Sequence, residues 1–240
     1  MNKLRASIIV PARNEIEYIN TFLDILEINI TSKVEVLIVV DSIEDLTLNH
    51  IQSSNFEKIN LRKLVSTYGP GPANAIKYGV DFAATEIVVV TMADGSDDPK
   101  NVDDLILLIE RGCSVAIASR YMPGGQQIGG PKLKKCLSKT ASLILRIFAG
   151  IPTHDSTNSF KAYSMKFLKE AKIESKNGFE VGLELVAKAH RKKLLIAEVP
   201  TIWIDRLVGK SNFSIRKWLP YYLYWFLYAF GLRLKLKDMR

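Results

Sequence analysis

Short continuous apolar runs alternate along this chain with longer stretches in which apolar residues recur every three or four positions. Ala6–Val10, Val34–Val40, Leu61–Ser66, Ile87–Thr91 and Ser114–Ser119 are the short runs, and each reads as a buried strand. Between the first two, Ile16, Ile19, Phe22, Leu23 and Leu26 make one apolar face, which predicts a helix from about Glu15 to Ile28. A short helix toward Ser53, a helix from Ala73 to Ala83 after the turn T-Y-G-P-G-P, and a helix from Lys100 to Arg111 complete the alternation. Strand and helix in strict succession predict an α/β fold with a parallel, doubly wound sheet. There is no internal repeat and no low-complexity linker.

The second half changes character. S-R-Y-M-P-G-G, Ser119–Gly125, ends a strand in an arginine and a glycine loop. Pro131 to Phe148 predicts a strongly amphipathic helix. Lys132, Lys135, Lys139, Ser142 and Arg146 lie on one side, and Leu133, Leu137, Ala141, Ile144, Leu145 and Phe148 on the other. Two readings stand for it: a surface helix packed on the core, or a basic interfacial helix lying on a membrane. Thr153–Lys161 is a polar loop whose only carboxylate is Asp155, and His154 in it is a lone histidine with a structural role. Glu180 and Glu184 fall one turn apart on a further helix and read as solvent-facing. Ala197–Ile204 is a strand carrying Glu198, followed by a loop with Arg206 and Lys210. Near the C-terminus, K-W-L-P-Y-Y-L-Y-W-F-L-Y-A-F-G-L-R is apolar and aromatic between cationic flanks. It is shorter than the roughly 20 residues needed to span a bilayer. Its Trp and Tyr content fits a membrane interface, with a core helix or a protein contact as the alternative.

Composition adds three bounds. A chain of 240 residues can hold one α/β domain with a full core. Lys and Arg exceed Asp and Glu by 33 to 25, giving +8, and the excess is concentrated after Lys132. Such a balance suits phosphorylated substrates, an anionic membrane or nucleic acid. Nucleic acid is disfavoured, because no stacking aromatics interleave the basic stripe and no reading motif is present. Cys113 and Cys136 lack metal-ligand spacing and read as reduced thiols. Met1–Arg5 runs directly into a strand, so no signal peptide is expected, and the location expected is cytoplasmic, peripheral at the membrane's cytoplasmic face.

The chemistry gathers at strand ends. The strand at Ile87 runs into V-T-M-A-D-G-S-D-D-P, releasing Asp94, Asp97 and Asp98. Carboxylates at the carboxyl end of a buried strand sit where open α/β sheets bind ligands, and Mg²⁺ shares such oxygens with substrate phosphates. Asp97 and Asp98 could equally cap the next helix. Asp41 ends the second strand. A nucleotide would place base and ribose near Asp41 and the loop Pro11–Glu15, with phosphates and metal near Asp94. Arg120 is placed to clamp a diphosphate. No dinucleotide fingerprint or P-loop is present.

These residues resemble a known family. I-I-V-P-A-R-N-E, V-L-I-V-V-D, G-P-G-P-A-N-A, V-V-T-M-A-D-G-S-D-D-P, A-S-R-Y-M-P-G-G, D-S-T-N-S-F-K, N-G-F-E-V-G-L-E and E-V-P-T-I-W-I-D-R-L-V-G-K-S occur in the order and spacing of inverting family 2 glycosyltransferases. Within that family the chain most resembles the dolichol- and polyprenyl-phosphate mannosyltransferases. The resemblance implies a single-domain A-type glycosyltransferase fold, Rossmann-like with a mostly parallel doubly wound sheet. Residues 1–213 would be catalytic and 214–240 an aromatic, basic, interfacial tail. It implies that Pro11, Arg13, Glu15, Val39 and Asp41 hold base and ribose, that Met92, Ala93, Asp94 and Ser96 form the metal and diphosphate motif, and that Arg120 and Arg206 contact phosphates, with Lys210 nearby. Lys134 and Ser138 match a pair that holds a lipid phosphate, Asp155 an acceptor-region aspartate, and Glu184 a glutamate of the following helix.

The chain departs from the pattern in places. Met92 stands where the first aspartate of the family's Asp-x-Asp is usual; Asp97 or Asp98 could compensate beside Asp94 in holding Mg²⁺ or Mn²⁺, and a single carboxylate with two diphosphate oxygens and waters can still hold the ion. Ser96, Val40, Arg13, Asn212 and Lys161 also replace usual residues. The reaction implied is sugar transfer from a nucleoside-diphosphate sugar to a polyprenyl phosphate, with Asp94, Asp155, Arg120 and Arg206 as catalytic residues. The chain would be monotopic, or recruited to the membrane surface by a membrane-protein partner or as a homo-oligomer. Alternatives are transfer to a hydroxyl of a lipid-linked or surface glycan, with Asp155, Asp97 or Asp98 as base, and a non-catalytic nucleotide-sugar binder.

Overall fold

The computed structural model describes residues 3–52, 55–176, 178–205 and 215–232. Seven strands form one sheet: β1 (Ala6–Pro11), β2 (Val34–Val40), β3 (Ile59–Val65), β4 (Ile87–Val90), β5 (Val115–Ser119), β7 (Lys161–Ser164) and β8 (Ile196–Pro200). Their order is β3-β2-β1-β4-β7-β5-β8. β6 (Gln126–Ile128) and β9 (Ile202–Ile204) pair in parallel as a small second sheet. The helices are α1 (Ile19–Asn29), α2 (Leu46–His50), α3 (Pro72–Phe82), α4 (Asn101–Glu110), α5 (Lys132–Ile144), α6 (Met165–Ala171), α7 (Val181–Arg191) and α8 (Ile215–Ala229).

The period of two along each strand divides the core. Ile9, Leu37, Val88 and Ile117 face the layer that contains α3, α6, α7 and α8. Ile8, Val10, Ile38, Val89 and Ala116 face the layer that contains α1 and α4. Both faces of the sheet are covered, which is why the strands read as unbroken apolar runs. Helix and sheet approach closely at Gly79 of α3. A Cβ there would lie 2.7 Å from Ile9 Cγ2.

Three expectations change. The sheet is parallel except for β7, which runs antiparallel to both β4 and β5. α5 and the loop after it leave the chain beyond the carboxyl edge of the sheet, so β7 must enter from that edge. A buried strand shows the same apolar pattern in either direction, so its sense is not written in its periodicity. The first helix begins at Ile19, because Asn14 adopts φ 55° and residues 14 and 15 are held elsewhere. The Asn14 N–H donates to Asp45 Oδ2 at 3.1 Å, and the Glu15 N–H donates to Thr47 Oγ1 at 3.0 Å. Ala197–Ile204 divides into β8 and β9, and Gln126 N–H donates to the Thr201 carbonyl between them at 2.9 Å.

α8 packs on α7 within the core. Tyr224, Trp225 and Ala229 are buried, and Trp225 Nε1 donates to Ser175 Oγ at 3.1 Å. Leu219 and Leu223, on the same helix, are about half exposed. No helix among the described residues is long and apolar enough to cross a membrane.

Candidate functional site

The first four parallel strands deliver their carboxyl ends to one edge, and the chain order reverses between β1 and β4. Ligands of open α/β sheets bind at such a point. Asp41, just past β2, accepts the Gly71 N–H at 3.0 Å and so fixes the loop before α3. Pro11 is buried, Arg13 is exposed and Glu15 is intermediate. Val39 is wholly buried in the core, so its side chain is a support for the site and not a surface of it.

Beyond β4, Ala93, Asp94, Ser96 and Asp97 are buried, while Met92 and Asp98 are intermediate. Asp94 Oδ1 accepts the Ser96 N–H at 3.1 Å across the turn at Gly95, whose φ is 72°. Asp97 and Asp98 separate in role. Asp98 accepts the Lys100 N–H at 3.1 Å and shapes the turn into α4. Asp97 turns inward, where its Oδ2 accepts from Thr91 Oγ1 at 2.9 Å and from the Met92 N–H at 3.3 Å. Burial, then the charge of Asp94, pushes the Asp97 carboxyl up to about 7. A buried carboxyl whose ionisation is opposed by burial and by a neighbouring carboxylate is a donor that a divalent cation satisfies. Asp94 and Asp97 therefore fit the expected metal. No group of three or more His, Cys, Asp or Glu side chains suited to a metal occurs among the described residues, so substrate oxygens and water would complete the shell.

Arg120 follows β5 and is almost buried. Its Nε donates to Asp155 Oδ2 at 2.7 Å, its Nη2 to Asp155 Oδ1 at 3.0 Å, and its backbone N–H to Oδ2 at 3.1 Å. Burial would raise the Asp155 carboxyl, but the charge and hydrogen bonds of Arg120, with Lys161 nearby, hold it below the usual range. An ionised carboxylate with no exposed surface, spent on an arginine, is not poised to take a proton. The arrangement suits a carboxylate that orients Arg120. Gly125 lets the loop close over this strand end, since a Cβ there would meet the Ser119 carbonyl oxygen at 2.3 Å.

Ser138 projects from α5 toward the same arginine, with Arg120 Nη2 at 3.2 Å. Lys134, one turn earlier, lines the same cavity. This groove has a volume of about 520 Å³. Asp94, Arg120, Ser138 and Lys134 line it together with apolar side chains of α5 and α8, among them Leu137, Ile144, Leu219 and Phe226. Arg206 and Lys210 lie outside the described residues.

Several residues behave otherwise than the pattern suggests. Glu180 and Glu184 are buried, not solvent-facing. Glu184 accepts the backbone N–H groups of Glu174 at 2.7 Å and Ser175 at 2.8 Å and pairs with Lys188 at 2.7 Å. Spacing of four residues cannot tell a wet face from a buried one. His154 pairs with Glu198, whose Oε2 also accepts the His154 N–H at 2.8 Å. Reading the sequence missed Tyr121 and Thr157, which bond Ser138, and Gln127, which bonds Tyr121; only the neighbourhood of Tyr121 to Arg120 hinted at them.

The match to a known family decides the class. The model of glycosyl transferase family 2 matches residues 7–171. The chain belongs to glycosyl transferase family 2. Among curated relatives of this family 2 protein, the polyprenol monophosphomannose synthase of Mycolicibacterium smegmatis is 28% identical over 217 residues, covering 88% of this chain and 81% of that one. The undecaprenyl-phosphate mannosyltransferase of Micrococcus luteus is 29% identical over 218 residues, covering 88% of each. The dolichol-phosphate mannosyltransferase of Pyrococcus furiosus is 26% identical, and the match spans 59% of its length. Among solved structures, glucosyl-3-phosphoglycerate synthase from Mycobacterium tuberculosis with Mn²⁺, UDP-glucose and phosphoglyceric acid shares the fold. Its TM-score is 0.69 at 18% identity, over 96% of this chain and 81% of that one.

Proposed function

We propose that this family 2 glycosyltransferase moves a sugar from a nucleoside-diphosphate sugar to a polyprenyl phosphate at a membrane surface. The observation that carries this reading is the groove itself. Arg120 and Lys134 in its lining suit a phosphate, and the apolar side chains that α5 and α8 contribute suit a hydrocarbon tail. The curated relatives' names point to the same acceptor class.

The outer face of α5 supports the membrane part of the proposal. Only Ser142 of α5 is buried, with Leu145 just past its end. Leu133, Leu143, Ile147 and Phe148 are 63%, 50%, 62% and 72% exposed, and Lys132, Lys139 and Arg146 flank them. A soluble surface helix turns such a stripe inward; an interfacial helix lays it in lipid and keeps its cations at the headgroups. Of the two readings of this helix, the interfacial one fits.

In the reaction, a phosphoryl oxygen of the acceptor attacks the anomeric carbon. The bond from that carbon to the donor diphosphate breaks, and the nucleoside diphosphate leaves. The acceptor is already anionic near neutral pH, so no general base is needed, in keeping with the locked Asp155. Arg120, oriented by Asp155, holds negative charge at the junction of donor and acceptor. Asp94 and Asp97 would hold Mg²⁺ or Mn²⁺, which stabilises the charge gathering on the departing diphosphate. Asp41 and the Pro11–Glu15 loop would hold the nucleoside, and Arg206 would add a second cation.

The test is sugar transfer with a panel of UDP- and GDP-sugars, with and without polyprenyl-phosphate liposomes, Mn²⁺ and chelator, beside Asp94→Ala. Transfer requiring lipid phosphate, metal and Asp94 is expected. Transfer to a soluble hydroxyl acceptor in the absence of lipid phosphate would overturn the proposed acceptor.

A further inference from the structure

Beside Arg120 a chain of three hydroxyl groups lines the groove. Tyr121 OH is 3.0 Å from Ser138 Oγ, Ser138 Oγ is 2.5 Å from Thr157 Oγ1, and Thr157 Oγ1 is 3.2 Å from Asp155 Oδ1. Each hydroxyl has one hydrogen to give. The buried, ionised Asp155 only accepts, so it sets the direction of the whole chain. Thr157 donates to Asp155, Ser138 donates to Thr157, and Ser138 is left to accept from Tyr121 and from Arg120 Nη2.

The hydrogen of Ser138 is thus committed away from the groove. That of Tyr121 is not. It is shared between two neutral oxygens, Ser138 Oγ and Gln127 Oε1, each at 3.0 Å. An anionic phosphoryl oxygen competes well against either, because a hydrogen bond to a charged acceptor is roughly twice as strong. The ring is already aimed: the Arg120 guanidinium carbon stands 4.9 Å from its centroid, and Tyr121 lines the groove with Arg120, Lys134 and Ser138. Burial also keeps the phenol protonated by raising it above its ordinary value.

Resting on the acceptor class proposed above, we propose that Tyr121 binds the acceptor phosphate directly, donating its phenolic hydrogen to a phosphoryl oxygen beside Arg120. Ser138 and Thr157 then act as positioning residues that pin the arginine and present Tyr121. This gives the site a donor that no spacing argument supplied, and it moves Ser138 from ligand to support.

Tyr121→Phe removes one oxygen and keeps the ring over Arg120. In a transfer assay with saturating donor, it is expected to raise the acceptor KM at least tenfold while leaving the donor KM and the melting temperature unchanged. Thr157→Val, which cuts the chain one link from the carboxylate, is expected to raise the acceptor KM about threefold. Calorimetric binding of geranylgeranyl phosphate to wild type and Tyr121→Phe provides the same comparison without turnover, and a tenfold weaker Kd is expected. An acceptor KM or Kd within twofold of wild type overturns the role of Tyr121, and so does a matching loss of donor binding or melting temperature. Wild type that binds the prenyl phosphate but transfers nothing to it would sink the proposed reaction while the Kd ratio still judges Tyr121. Wild type that does not bind it overturns both.

Discussion

Arg120 and Asp155 form a two-point ion pair inside the protein, Nε to Oδ2 at 2.7 Å and Nη2 to Oδ1 at 3.0 Å, with the carboxylate fully buried. The pair fixes the arginine at the meeting of the metal motif and the groove. Removing one charge of such a pair leaves the other uncompensated, at a cost of about 3–5 kcal/mol. Asp155→Asn is expected to lose stability on that scale by denaturant melt, and to lower transfer. The pH profile of the remaining kcat should keep the wild-type shape, as the proposed base-free transfer requires.

Lys161 is fully buried, and its Nζ donates to the Ser156 carbonyl at 3.3 Å and to the Asn158 carbonyl. Burial lowers its ammonium to about 7, despite the attraction of Asp155. In the unfolded chain it titrates near 10.4. Between these values the unfolded state binds the proton and the folded state does not, so stability contributed by this group rises with pH from about 7 to about 10 and is flat below 7. Lys161→Met should remove that slope. Melting temperatures of both proteins between pH 7 and 9.5 check it, and the advantage of the variant should be largest near pH 7.

Gly79→Ala tests the seat of α3 on the sheet. Alanine favours a helix by about 1 kcal/mol over glycine. Its Cβ would press on Ile9 at 2.7 Å, and Ile9 is a wholly buried, β-branched side chain without room to yield. Overpacking of this kind costs about 1–3 kcal/mol. A net loss of stability, read from the urea midpoint, is expected.

Ile147→Ser with Phe148→Ser should leave the fold intact, because both side chains are largely exposed. Binding to anionic vesicles, measured by sedimentation, should fall about tenfold. Leu145→Ala, one turn inside, should do the reverse: it should cost about 2–5 kcal/mol of stability with vesicle binding little changed, since Leu145 is wholly buried.

Much of the fold is legible in the order of the residues. Unbroken apolar strands such as Val34–Val40 need cover on both faces, and helices alternating with them supply it. Asp41 and Asp94 could be placed at one edge because parallel strands end together. Asp97 and Asp98 could not be told apart, since adjacent carboxylates after a strand read alike until the turn at Gly95 sends one inward. The pairing of Asp155 with Arg120 and the burial of Glu184 were hidden for a related reason. Loop and helix spacing records which residues are near in the chain, whereas Arg120 lies 35 positions from Asp155, and the backbone that closes on Glu184 belongs to the segment before its helix, at Glu174 and Ser175.

The sequence by itself determined the family, the strand–helix alternation and the carboxylate-bearing edge, because local periodicity and strand-end chemistry are properties of contiguous residues. Tertiary structure alone decided the direction of β7, the pairing that turns Asp155 into a support for Arg120, and the hydroxyl chain from Tyr121 to Thr157. Each of these depends on contacts between distant segments, where packing chooses partners and burial sets which protons stay in place.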